Sequence, residues 1–477
     1  MTNTQAVHDL FKSWTGGNPD SIVPMASHGS TRRYFRISYD GGTAIAAINH
    51  DRRENEAFVS LSRHFRGKGL PVPEILYQNL DLGMYIEQDL GNQTLYDEIA
   101  AGTRGNGFSD EAMDQYRMVL DWLPQFQITG AQDLDFSICY PRQSFDEQSI
   151  VWDLNYFKYH FLKFTNISFD EQALEDDFAQ FTEYLLGADS AYFMYRDFQS
   201  RNVMWNDDGP WFIDYQGGRR GALQYDLASL LQDAKADIPW EDREVLLAYY
   251  LDAASQLIPV DRSQFMKYYY AYALIRIMQA FGAYGLRGLH EGKSLFLKSI
   301  SYAVANLKGL TERAELPLPL PELRSVWGQI MDSEQLQSIG MPSADGLTVH
   351  ITSFSYHRGI PRDDSGHGGG FTFDCRILPN PGRLPEYAEL TGMDSEVVKY
   401  LQKSGAVTEF RADVMRIVDR AVGHHADRGF SDLTINFGCT GGRHRSVYFA
   451  EETARHLAGK YGSNVIMHHR EQEAEAD

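Results

Sequence analysis

The sequence predicts an α/β and α+β multidomain chain: a β-rich segment, a larger helical one, and then a smaller α/β layered domain. Three observations carry that prediction. Its 477 residues are enough for two or three folded units, each able to bury a core. The composition, 43% hydrophobic and 23% charged, is that of ordinary globular domains. The hydrophobic pattern changes at a proline-punctuated stretch, AELPLPLPELRSVW, where Pro317, Pro319 and Pro321 alternate and favour extended backbone over helix.

Taken in order, TRRYFRISYD, a Gly41-Gly42 turn and TAIAAINH read as a hairpin, because a glycine pair between two β-prone runs favours a tight turn. ENEAFVSLSRHFRGKGL then carries helical periodicity that Pro71 stops, and GMYIEQDL reads as a strand. These elements make a β-rich lobe over residues 1–95. From Tyr96 to Gly309 the pattern is mainly helical, including the apolar run FMKYYYAYALIRIMQAFGAYG, which sets a second lobe over 96–315. Residues 316–345, proline-rich and then polar, read as a linker. Beyond it LTVHITSF, FTFDCRIL, DLTINFG and SNVIMHH read as strands. They alternate with helices in SEVVKYLQKSG, EFRADVMRIVDRAVGHHADRG and RSVYFAEETARHLAGKYG, the pattern of an α/β layered domain over 346–470. Residues 471–477 read as an acidic tail.

Lys and Arg total 44 against 65 Asp and Glu, a formal net charge of -21. Such a surface repels phosphate backbones and anionic lipid heads, which argues against broad nonspecific binding to nucleic acid. About -17 of the charge lies upstream of residue 341 and about -4 from there on. Three cysteines, Cys139, Cys375 and Cys439, are too few and too scattered for a disulfide framework or a cysteine-based zinc site, so a reducing compartment fits. No apolar run is long enough to span a bilayer, and MTNTQAVHDLFKSW lacks the basic leader and apolar core of a signal peptide. A cytoplasmic protein without a membrane partner is expected. Nine of the fifteen histidines fall from His350 onward, a crowding that surface composition explains as readily as anion or metal chemistry.

The helical region is interrupted by AYFMYRDFQSRNVMWNDDGPWFIDYQ, two short apolar runs around a polar turn. Phosphoryl transfer needs a group to take the proton from the attacking hydroxyl, oxygen ligands for Mg²⁺, and a loop over the phosphates. Asp197 lies five residues before Asn202, the spacing that sets a carboxylate base beside a metal-binding amide. Asp214 follows at the end of WFIDYQ, where its oxygen can reach the same ion. One Asp and one Asn, with substrate phosphates, suit the hard-oxygen preference of Mg²⁺. A β-rich lobe, a helical lobe and this loop between them form a kinase-like layout.

YRDFQSRNVM, WFIDYQ and GALQYDLASLLQD resemble the aminoglycoside phosphotransferase and choline kinase group, most closely the anomeric kinases of N-acetylmuramate and N-acetylglucosamine (the AmgK family), over roughly residues 5–325. The resemblance implies a bilobal protein-kinase-like (aminoglycoside phosphotransferase) fold and the use of ATP and Mg²⁺. It implies Asp197 as the base, Asn202 and Asp214 as metal ligands, and Asp226 either as a buried support of the metal loop or as a plain helix cap. GSTRRYFRI is similar to the phosphate-covering hairpin of those kinases, with Gly29, Ser30, Arg32 and Arg33 at the nucleotide. The sequence departs from the pattern at three places. AAINHDRR contains no lysine where kinases carry one on a strand, leaving Arg32, Arg33 or Arg52 to substitute. Tyr195 and Gln199 stand where histidines are usual. From the following helix, Glu56, or failing it Glu54, would face the phosphates, unless both lie on a solvated face.

Downstream, Gly438-Cys439-Thr440-Gly441-Gly442-Arg443-His444-Arg445-Ser446 places a glycine-rich turn between a strand and a helix N-terminus. First-turn N–H groups, the helix dipole and three cationic side chains make this an anion nest. FDCRILPNP and GCTGGRHRSVYFAE are similar to the RapZ C-terminal domain, from about 350 to 470. That resemblance implies a phosphosugar partner bound by Cys439, Thr440, Gly441, Gly442, His444, Arg445 and Ser446, with His357 also near. Cys439 reads as a buried spacer or a reactive thiol, and SGHGGG at 365–370 as a slack turn or a lid. RapZ's P-loop is absent from this chain, and the terminal EQEAEAD would oppose an RNA backbone, so RNA is a disfavoured partner.

The expected function is an ATP-dependent amino-sugar kinase of cell-wall sugar recycling, joined to a phosphosugar-binding domain. Two other readings fit the same residues. One is a non-catalytic pseudokinase adaptor with an RNA-binding or phosphosugar-sensing C-terminal domain, motivated by the missing lysine and by Tyr195. The other keeps the kinase and changes the acceptor to an aminoglycoside, choline or homoserine.

Overall fold

The computed structural model describes residues 3–25, 32–102, 108–291, 293–339, 347–361, 370–427, 430, 432–461 and 464–472. It divides into two compact units: Met1–Ala283 with Tyr302–Ser333, and Tyr284–Ser301 with Glu334–Asp477.

The first unit opens with helix α1 (Asn3–Thr15) and the strands β1 (Ser21–Pro24), β2 (Arg33–Tyr39) and β3 (Gly42–Ile48). Helix α2 (Arg52–Gly67) follows, then β4 (Ile75–Asn79) and β5 (Met84–Gln88). The five strands form one antiparallel sheet in the order β1-β2-β3-β5-β4. Strand alternation separates its faces. Phe35, Ile37, Ala44, Ala46, Met84 and Ile86 pack against Val7, Leu10 and Phe11 of α1. The opposite face carries Tyr34, Ala47, Tyr85 and Glu87, with Tyr34 and Tyr85 flanking Ala47 in the ladder. The hairpin turn centres on Asp40 and Gly41, one position earlier than the glycine pair suggests, and Gly42, at φ 123°, begins β3. Asp51 caps α2 by accepting from the N–H groups of Arg53 and Glu54.

The second lobe of this unit is mainly helical: α3 (Leu95–Gly102), α4 (Asp110–Pro124), α5 (Glu147–His160) and α6 (Glu171–Leu186) precede a small β region. There β6 (Tyr192–Met194) pairs with β9 (Arg219–Gly221), and β7 (Val203–Asn206) forms a hairpin with β8 (Gly209–Phe212). Helices α7 (Leu223–Leu231), α8 (Trp240–Ser255) and α9 (Arg262–Tyr284) follow, and α10 (Ser294–Arg313) starts in the segment assigned to the second unit and ends in the first. Phe58 of α2 stacks on Tyr85 and on Tyr215, with ring centroids 5.0 and 5.2 Å apart, so aromatic packing joins the two lobes. The bilobal kinase-like arrangement therefore follows from one sheet face meeting a helical lobe.

The stretch 316–345 does not behave as a linker throughout. Helix α11 (Pro321–Asp332) starts with proline at its first turn, which the missing N–H permits, and buries Leu323, Val326, Trp327 and Ile330. Asp177 of α6 accepts from Leu323 N at 2.8 Å, so α11 belongs to the first unit. Proline spacing alone could not reveal the apolar stripe beyond it. Helix α12 (Glu334–Ser338) comes next, and 340–346 lie outside the described residues.

The second unit contains β10 (Thr348–Ser355), β11 (Gly370–Asp374), α13 (Ser395–Gln402), α14 (Gly405–Asp427), β12 (Asp432–Cys439), α15 (Arg445–Tyr461) and β13 (Asn464–His469). Its four strands are all parallel, in the order β11-β12-β10-β13. Val349, Ile351, Leu433, Ile435 and Phe437 from the sheet meet Val414, Val418, Phe449 and Leu457 from the helices in one core. Most of the SGHGGG segment and the last five residues lie outside the described residues. Glu471 does not begin a free tail: it is buried and accepts from Ser355 N at 3.0 Å. No helix among the described residues is long and apolar enough to cross a membrane.

Candidate active site and anion-binding loop

Asp197 sits in the loop between β6 and β7, and Asp214 lies two residues after β8. Two side-chain hydrogen bonds, Asn202 to Asp214 and Tyr195 to Ile213, tie the two loops together, and each loop is braced within itself. Asn202 Nδ2 donates to Asp197 O at 2.8 Å and to Asp214 Oδ2 at 3.2 Å. The Tyr195 hydroxyl, fully buried, donates to Ile213 O at 2.6 Å, so the phenol that replaces the expected histidine works as a cross-brace. Gln216 Nε2 donates to Asp214 Oδ1 at 2.6 Å.

Asp226 lies in α7 with 0% exposure. It accepts from Tyr195 N and Arg196 N, each at 2.9 Å, and from Gln127 Nε2 at 3.0 Å. Burial pushes its carboxyl up to about 6, against the pull of those hydrogen bonds. It therefore supports the backbone of the Tyr195–Asn202 loop directly, and the helix-cap alternative falls away because Ala222 is the N-cap of α7.

The electrostatics of the corner favour a cation. Burial raises the Asp214 carboxyl above the usual range, and the charge of Asp197 adds to the rise. With Asn202 Nδ2 engaged, its amide oxygen is the atom left to a metal. Gln216 Oε1 is buried with no hydrogen-bond partner, a further hard oxygen in the same corner. No cluster of three or more His, Cys, Asp or Glu suited to a metal occurs among the described residues. One carboxylate and one amide, those of Asp214 and Asn202, leave coordination to be completed by phosphate oxygens and water, which suits Mg²⁺.

Arg32 and Glu54 form the ion pair at this end of the sheet, Nη2 to Oε1 at 3.2 Å. Arg32 is 2% exposed, packs over the Phe58 ring at 5.6 Å and donates to the Tyr34 hydroxyl at 3.4 Å. Its positive charge also opposes the rise at Asp214. The ranking of Glu56 above Glu54 is reversed by this placement: Glu56 is exposed and pairs with exposed Arg52 at 2.7 Å. Arg33 is exposed at the start of β2. Gly29 and Ser30 lie outside the described residues. Gln199 begins the short helical turn that carries Asn202, its carbonyl accepting from Asn202 N at 2.9 Å.

In the second unit the loop 440–444 runs from β12 to the N-terminus of α15, at the carboxyl ends of the parallel strands, where open α/β sheets bind ligands. Gly442 has φ 68°, and a Cβ there would come within 2.8 Å of Ser355 N, so only glycine fits. Thr440 and Gly441 are exposed at the mouth of the loop. Cys439, 2% exposed, places Sγ 3.1 Å from Ser446 Oγ, the setting of a packed spacer. Arg445 and His444 face inward: Arg445 donates to Leu378 O at 2.9 Å and to Arg376 O at 3.2 Å, and His444 Nε2 lies 2.8 Å from Tyr387 O. They shape the loop more than they present charge to solvent. His357 is exposed on the turn after β10. Sequence reasoning missed Glu471, which bridges Ser355 N and Arg358, and Arg376, which lies 3.8 Å over the Tyr356 ring.

Residues 21–263 match the family described as Phosphotransferase enzyme family, and residues 347–473 match the RapZ C-terminal domain. A protein named nucleotide-binding protein from Thermotoga neapolitana is 37% identical over 172 residues, which are 35% of this chain and 59% of that one. Another of that name from Xanthomonas campestris pv. campestris is 33% identical over 220 residues, 41% of this chain and 75% of that one. Among solved structures, the choline kinase of Cryptosporidium parvum Iowa II has a TM-score of 0.48 at 13% identity, over 68% of this chain and 99% of that one.

Proposed function

The chain belongs to the phosphotransferase enzyme family, and from that premise we propose that it moves the terminal phosphoryl of ATP, with Mg²⁺, to an amino sugar. The acceptor is the anomeric hydroxyl of N-acetylmuramate or N-acetylglucosamine, and the RapZ-like domain binds a phosphosugar. The observation that carries this reading is the convergence of Asp197, Asn202 and Asp214 through the Asn202 amide.

Asn202 and Asp214 would hold the Mg²⁺, whose charge offsets that developing on the transferred phosphoryl. Asp197 accepts the proton of the acceptor hydroxyl as that oxygen bonds to the terminal phosphorus and the bond to the bridging oxygen of ADP breaks. General-base catalysis of this kind contributes about 10² to 10⁴ in rate. The ring oxygen of a sugar withdraws electrons from its anomeric hydroxyl, so a carboxylate suffices as base. Arg32, held by Glu54, supplies the cation that the strand lysine supplies in other kinases. The loop 440–444, exposed at Thr440 and Gly441, offers backbone N–H groups and the Thr440 hydroxyl to a phosphate.

The test is direct. Wild type incubated with ATP, Mg²⁺ and each sugar should yield a sugar phosphate, and Asp197→Asn should lose at least about 10² in kcat. A wild type that yields no product, with Asp197→Asn indistinguishable from it, would sink the reading.

A further inference from the structure

The side chain of Arg196, next to the base, is 13% exposed and engaged at both terminal nitrogens. Its guanidinium meets Asp153 of α5 in a two-pronged pair, Nη1 to Oδ2 at 2.7 Å and Nη2 to Oδ1 at 2.9 Å. Nη1 also donates to the Tyr225 hydroxyl at 2.8 Å. The ring of Phe145 lies 5.2 Å from the guanidinium carbon and that of Tyr225 lies 4.9 Å from it. Asp153 itself is 6% exposed.

The backbone at Arg196 explains why this matters for the neighbouring residue. Its φ is 80°, the left-handed region that costs a non-glycine residue energy. Two carboxylates from two helices hold it there: Asp226 of α7 takes the backbone N–H, and Asp153 of α5 takes the side chain. If either lets go, Arg196 can relax toward negative φ, and the rotation passes straight to Asp197. In kinases regulated by phosphorylation, a phosphate added to a mobile segment orders that segment by pairing with arginine. Here an internal aspartate already fills that role.

We propose that Asp153 is a positioning residue for the phosphotransfer reaction: by clamping Arg196 it presets the Asp197 carboxylate, so the catalytic loop needs no added phosphate to become competent. This rests on the phosphotransferase reading of the Asp197 site.

The experiment uses the full chain. Asp153→Asn should lower kcat by about 10²-fold, the scale of a base displaced by about 1 Å, while KM for ATP and for the sugar stays within about threefold. Amide hydrogen exchange across residues 195–199 should speed up, and Asp153→Gly should regain part of its kcat when formate is added. Because a stranded guanidinium can unfold the lobe, the pair Asp153→Leu with Arg196→Met removes both charges together. That variant should recover thermal stability yet remain slow. The proposal is overturned if Asp153→Asn keeps kcat within about twofold of wild type. It is equally overturned if the double variant regains full kcat, since the damage would then lie in the stranded charge. Should wild type transfer nothing to any sugar, the functional reading fails on its own, and the exchange comparison alone decides whether Asp153 positions the loop.

Discussion

Glu87 puts a carboxyl where water hardly reaches, on the face of β5 that also carries Tyr85. Burial pushes its carboxyl from 4.5 up to about 8, with Asp89 adding to the rise and Arg32 opposing it. The sign of the linkage follows from that direction. Below about pH 4.5 the group is protonated in folded and unfolded chains alike, and its contribution to stability is fully present. As pH climbs through about 8, ionisation favours the unfolded chain and the contribution is lost. At about 1.4 kcal/mol per unit, the change across that window amounts to a few kcal/mol. Glu87→Gln should therefore flatten the stability curve between about pH 4.5 and 8, measured by urea unfolding at each pH. Curves that superimpose on wild type would show that Glu87 does not titrate with folding.

Two elements meet at Arg32 and Glu54, the segment entering β2 and the first turn of α2. Removing one partner of a buried pair costs more than the pair is worth, because the other charge stays behind. Glu54 is 28% exposed, so water takes up part of that loss, and Glu54→Gln should cost about 2 kcal/mol rather than the 3–5 typical of full burial. Arg32→Met in the same chain should recover most of it, a coupling of about 1–2 kcal/mol in a double-mutant cycle. Glu56→Gln, whose partner Arg52 is exposed, should cost under about 1 kcal/mol. A cycle in which Glu54 and Arg32 add independently would remove the pair from the site. The same pairing shows where sequence stopped being informative. The Asp197 and Asn202 spacing was legible because a loop of five residues constrains itself locally. The Gly442 turn was legible for the same reason, since its positive φ demands glycine. Glu54 against Glu56 was not, because two positions on one helix turn differ only in which of them meets the sheet. Asp153 was equally hidden: it lies 43 residues from Arg196, and an acid inside a helical run looks like any solvated face until tertiary packing buries it.

At the scale of the whole molecule, two compact units each carry their own core and, under the proposed function, their own phosphate-binding loop. The charge divides unevenly along the chain, about -17 upstream of residue 341 and about -4 from there on. Acidic surroundings oppose anionic ligands at long range, so short-range donors must carry phosphate recognition: Arg32 in one unit, the backbone nest of 440–444 in the other. A ligand that binds only the folded form of one unit stabilises that unit by about 2.7 kcal/mol at a hundred times its Kd. For the second unit the gain corresponds to a rise of about 5–10 °C in its transition, and the larger first unit moves less. Scanning calorimetry of the full chain should accordingly resolve two responses. A non-hydrolysable ATP analogue with Mg²⁺ should move the transition of the kinase unit alone, and glucosamine-6-phosphate should move that of the RapZ-like unit alone. Gly442→Ala, whose Cβ would press on Ser355 N, should abolish the second response and leave the first intact. A sugar phosphate that shifts only the kinase transition, or a Gly442→Ala chain that still responds to it, would place phosphosugar recognition outside the 440–444 loop.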